Sequence, residues 1–82
     1  MSAPSLDIGG GVMVPVESIV CVLGWQEALK CRSNRDLVSS LRARGKVTVL
    51  GEREHRSLVI CTNEIYLSFL SPATISLRAR RL

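Results

Sequence analysis

Residues 46–70 read KVTVLGEREHRSLVICTNEIYLSFL, and this stretch decides the fold. It contains three short apolar runs rich in β-branched residues, at 46–50, 57–62 and 65–70, which predict three strands. Asn63-Glu64, between the last two, has the length of a tight hairpin turn. The charged segment 51–56 reads as the tip of a longer hairpin.

Working outward toward the N-terminus, Ser33-Asn34-Arg35-Asp36 reads as a helix start, with Ser33 as the cap and Asp36 completing a capping-box-like pair. Gly45 is a natural stop. At 100° per residue Leu37, Val38 and Leu41 share one arc, so this helix is expected to lie on the sheet through them and to turn Arg35 and Arg42 outward. The segment 24–32 fits either a helical turn or a loop folded back on the sheet. Residues 18–23 are short and β-branched, as a buried strand would be. Before them, 6–8 and 12–14 predict two antiparallel strands joined by Gly9-Gly10-Gly11, and Pro15 ends that ladder because it has no N–H to donate. Residues 1–5 read as a loose leader.

Toward the C-terminus, Ser71 is an N-cap and Pro72 suits the first helical position, so 73–77 should make one or two helical turns. A basic tail, 78–82, follows. The chain is thus expected to be one domain over residues 1–82 with an α+β fold: a small antiparallel sheet, one packed helix and a short C-terminal helix.

A domain of 82 residues buries only roughly 60% of the surface its unfolded chain exposes. Its residues are 46% apolar, yet the only aromatics are Trp25, Tyr66 and Phe69, so the core must be aliphatic. Some apolar surface is expected to be buried between copies of the chain. The net charge is +4 and unevenly placed: no lysine or arginine precedes Lys30, and the other ten basic residues fall between Arg32 and Arg81. Such a distribution suits a polyanionic partner, nucleic acid first among them, and is compatible with an acidic membrane surface as well.

Other classes find little support. No apolar run reaches the ~18 residues of a membrane-spanning helix, and no basic n-region precedes an apolar stretch, so neither a membrane nor a secretory route is expected. Cys21, Cys31 and Cys61 form an odd set without CxxC spacing and read as reduced thiols of a cytoplasmic protein. The single histidine, His55, has no nucleophile beside it in sequence, and Gly9-Gly10-Gly11 lacks the Walker lysine. No enzymatic activity, cofactor, metal or small-molecule substrate is therefore expected.

Among the basic residues, Arg53 and Arg56 stand out, because two guanidinium forks on one loop can make bidentate contacts to phosphates or base edges. Arg35, Arg42 and Lys46 are weaker candidates on and after the helix. The competing reading of the loop is a solvated segment in which Glu52 and Glu54 neutralise the arginines.

The pattern as a whole resembles the RemA/RemB family of small bacterial regulators of extracellular matrix genes. The residues that carry the resemblance are Leu6-Asp7-Ile8-Gly9-Gly10, Val12-Met13-Val14, Ile19-Val20-Cys21-Val22-Leu23, Gly45-Lys46-Val47, Arg56-Ser57-Leu58-Val59-Ile60, Ile65-Tyr66-Leu67-Ser68 and Leu70-Ser71-Pro72-Ala73-Thr74-Ile75. They run in order over about residues 6–81, and the run from Arg56 to Ile75 is most similar to the RemB branch. The resemblance implies a DNA-binding activator of biofilm matrix transcription with a fold similar to LytTR-type DNA-binding domains. It also implies a homo-oligomeric ring whose surface arginines meet DNA. RemA-type members carry arginine at the position of Ser18 and a denser arginine cluster in the loop; here Arg53 and Arg56 fall on arginine positions and Glu54 replaces another. The rival expectation is an oligomeric assembly protein that binds a partner protein and has lost DNA affinity.

Overall fold

The computed structural model describes residues 4–82. It begins with a two-stranded ribbon, β1 (Ser5–Asp7) and β2 (Met13–Pro15), paired antiparallel with Leu6 opposite Val14. The turn between them is made by Gly9, Gly10 and Gly11, all at positive φ, where only glycine is comfortable. A single 3-10 turn, Val16–Ser18, leads into β3 (Ile19–Gly24). Two helices follow, α1 (Trp25–Ala28) and α2 (Arg32–Ala43), then β4 (Val47–Val49), β5 (Ser57–Cys61), β6 (Ile65–Ser68) and α3 (Pro72–Arg80).

The main sheet has the order β3-β5-β6-β4. β5 is antiparallel to both β3 and β6, whereas β4 joins β6 in parallel, with Thr48 opposite Tyr66. The sheet is therefore mixed, which corrects the expected antiparallel one; the α+β class stands. Alternation along the central strands buries both faces. Leu58, Ile65 and Leu67 turn toward α1 and α2, where they meet Ala28 and Val38. Val59 and Cys61 turn the other way, toward Leu6, Ile8 and Val14 of the ribbon segment and Ile75 of α3. The result is three layers, with the ribbon and α3 on one face of the sheet and the first two helices on the other.

Several local expectations change. The segment 24–32 resolves as the short helix α1. Cys31, not Ser33, is the N-cap of α2, and no side chain caps that end, so the Ser33/Asp36 capping box does not form. Of the apolar arc, Val38 is buried and Leu41 half-buried, while Leu37 lies exposed at the rim. The β5–β6 turn is centred one residue early, on Thr62-Asn63, with the Cys61 N–H donating to the Glu64 carbonyl at 2.9 Å. Ser5, placed in the expected leader, pairs with Pro15, and the Pro4 carbonyl accepts from the Val16 N–H; residues 1–3 lie outside the described residues. The expected tail 78–82 is shorter, because α3 continues through Arg80. Its N-cap is as expected: the Ser71 hydroxyl accepts from the Thr74 N–H at 3.1 Å, and Pro72 opens the helix. No helix among the described residues is long and apolar enough to cross a membrane.

Candidate nucleic-acid interface

The parallel placement of β4 changes the meaning of the segment 50–56. Because β6 lies between β4 and β5, this segment is not the tip of a hairpin; it is a strap that crosses the C-terminal end of β6. It is pinned at both ends. On one side the Leu50 N–H donates to the Leu67 carbonyl at 2.9 Å, and the Leu50 side chain is buried. On the other, the Arg56 N–H donates to the Ser68 carbonyl at 2.8 Å, while its carbonyl accepts from the Trp25 N–H at 3.0 Å. His55 stands edge-on to the Trp25 indole, with centroids 5.7 Å apart at 86°, and its buried Nδ1 has no hydrogen-bond partner among the described residues. Between these anchors the arc Gly51-Glu52-Arg53-Glu54 faces solvent.

Gly51, at φ +69°, is where the strap turns over Phe69; a Cβ there would lie 3.0 Å from two ring carbons. The guanidinium of Arg53 then lies over the same ring, 5.4 Å from its centroid. Neither Arg53 nor Arg56 forms an ion pair with Glu52 or Glu54, so the two cations face solvent with no ion-pair partner among the described residues. Trp25, Gln26 and Glu27 of α1 form the opposite wall of a cleft of about 330 Å³ beside Glu54, His55 and Arg56.

The other basic candidates do not join this site. Arg35 donates from Nη1 to the Leu29 carbonyl at 2.6 Å and so closes the C-terminal end of α1. Arg42 and Lys46 are exposed and lack ion pairs among the described residues, but they flank the start of β4, at the opposite end of the sheet from the strap. Arg44, beside them, completes a second basic patch. Arg78 is held against β1, with Nη1 3.1 Å from the Asp7 carbonyl and 3.7 Å from its carboxylate. Sequence reasoning missed Phe69 and Gly51, since neither residue signals that an arginine will pack over it until the crossing of β6 is known.

The family model of RemA-like, extracellular matrix regulatory protein A-like proteins matches residues 6–79, from β1 through nearly all of α3 and including the whole strap. The chain belongs to this RemA-like family. No curated protein matches it. By the family's description, its members are similar to an extracellular matrix regulatory protein.

Proposed function

We propose that this RemA-like protein is a transcriptional regulator that binds double-stranded DNA through the strap between β4 and β5, as a ring-shaped homo-oligomer acting in the cytoplasm on matrix and biofilm genes. The observation that carries the reading is the pair Arg53 and Arg56, held on a strap anchored at both ends and without ion-pair partners among the described residues. A basic loop displayed from a β scaffold is the feature that a LytTR-like DNA-binding architecture would share with it. The patch of Arg42, Arg44 and Lys46 gives each subunit a weaker second contact on the DNA path.

Two features support self-association. The order β3-β5-β6-β4 leaves β3 and β4 as open edges, and on them Val20 and Val49 are 64% and 50% exposed. A closed ring removes such edges and repeats a modest cationic site many times, which converts weak contacts into avidity.

The test is a fluorescence-anisotropy titration of duplex DNA across a salt series, with the oligomeric mass measured in the same sample. Affinity should fall with salt by about 0.9 in log K per log salt for each phosphate neutralised. It should collapse in the double variant Arg53→Ala, Arg56→Ala at unchanged mass. An assembled protein that binds no duplex at low salt ends this reading.

A further inference from the structure

We propose that Phe69 is a positioning residue for Arg53, its ring acting as the platform that aims the guanidinium outward at a DNA phosphate; this rests on the DNA-binding reading of the strap. Phe69 directly follows β6, and two separate pieces of chain, the strap and the glycine turn, converge on its ring. Gly51 crosses it so closely that a Cβ would lie 3.0 Å from Cδ1 and Cε1. From the ribbon side, Gly9 approaches it, where a Cβ would meet Cε1 at 3.3 Å and the Ser68 hydroxyl oxygen at 3.2 Å. Both glycines hold positive φ, so side chains are disfavoured there on backbone grounds as well. The ring is thereby clamped between the glycine turn and the strap. Arg53 lies over it at cation–π distance.

The consequence is pre-organisation. An arginine on a solvent-facing arc samples many rotamers and loses that freedom when it meets phosphate. A guanidinium already resting on a fixed aromatic face loses less, and the planar fork remains free at its outer edge for bidentate contact. An aliphatic side chain at position 69 would fill the same space between the glycines, but it would present no negative π face. The structure thus separates packing from aiming, and substitutions can separate them too.

The experiment is a double-mutant cycle in duplex affinity between Arg53→Ala and Phe69→Leu, with Phe69→Tyr as the conservative variant and ring-current shifts of the Arg53 side-chain protons as a readout without DNA. Phe69→Leu should weaken binding by about two- to fivefold, the size of an exposed cation–π contact. Phe69→Tyr should bind as wild type, and Phe69→Leu should add nothing once Arg53 is alanine. The Arg53 protons should be shifted upfield in wild type and in Phe69→Tyr but not in Phe69→Leu. An unshifted Arg53 in the wild type overturns the proposal, as does a Phe69→Leu loss that persists in full without Arg53. If Arg53→Ala itself binds DNA like wild type, the DNA reading of Arg53 falls and takes this proposal with it.

Discussion

The Ser68 hydroxyl donates to the carbonyl of Ile8 at 2.5 Å, joining two residues 60 positions apart. Ser68 is fully buried at the end of β6, and its oxygen also accepts from the Leu70 N–H at 3.0 Å. One side chain thus fastens the glycine turn of the ribbon to the end of the sheet, beneath the strap that carries Arg53. Ser68→Ala removes one donor and one acceptor together and takes this partner from the buried Ile8 carbonyl and the half-buried Leu70 N–H. The expected loss is about 1–3 kcal/mol of unfolding free energy. Urea denaturation reads it directly, and a midpoint identical to wild type would show that the ribbon is not fastened this way.

Much of this arrangement is legible in the sequence, and what is not has identifiable causes. Residues 57–61 and 65–68 announce themselves as strands because β-branched and aliphatic residues on both pleat faces leave no other economical packing. The turn at Gly9-Gly10-Gly11 and the Ser71-Pro72 helix start are local chemistry and appear where expected. The direction of β4 is another matter: a three-residue strand has the same period of two whether its neighbour runs parallel or antiparallel. With the direction of β4 undetermined, the segment 51–56 reads as the tip of a hairpin, and only the parallel pairing with β6 makes it a strap. Similarly, the role of Arg35 depends on α1, whose four residues carry no clear periodicity, so its bond to Leu29 could not be anticipated.

The thiols should differ in reactivity. Cys31 is exposed at the N-terminal end of α2, and the backbone N–H groups of Asn34 and then Ser33 stabilise its thiolate and draw its pKa below the ordinary cysteine value. Cys61 is buried, and desolvation pushes its pKa up. At neutral pH a maleimide should therefore modify Cys31 well before Cys61, as peptide mass spectrometry of briefly labelled protein can show. Equal labelling of the two in folded protein would contradict this.

Tyr66 should titrate late. Its phenol donates to the Glu64 carboxylate at 2.5 Å, and that hydrogen bond, aided by desolvation and the Glu64 charge, pushes its pKa up to about 12 from 10.0. The raised value means the folded state holds the phenolic proton more tightly than the unfolded chain. The interaction contributes in full below the unfolded value near 10 and is lost as pH rises toward 12. Phenolate absorbance of folded protein should have its midpoint near the upper figure, and Glu64→Gln should move it down. Stability of wild type should fall between the two pH values more steeply than that of Tyr66→Phe.

The proposed ring makes its own prediction, because the two open edges of the sheet are different surfaces. β3 carries an irregularity between Ile19 and Cys21 that turns Val20 outward, while β4 presents Val49. Joining β4 of one copy to β3 of the next is a head-to-tail contact, and such contacts close into a ring only if both edges of every copy are available. A charge on either edge should block it, since lysine on an edge strand opposes pairing. Val20→Lys and Val49→Lys are therefore each expected to remain folded by circular dichroism and to lose the high-mass species in native mass spectrometry. Mixing the two variants sharpens the test. A Val20→Lys copy still has a sound β4 edge, and a Val49→Lys copy a sound β3 edge, so one contact can form between them and no more. The mixture should give a heterodimer whose outer edges are both blocked, in place of the wild-type oligomer. Variants that each assemble to wild-type mass would place the subunit contact elsewhere on the surface.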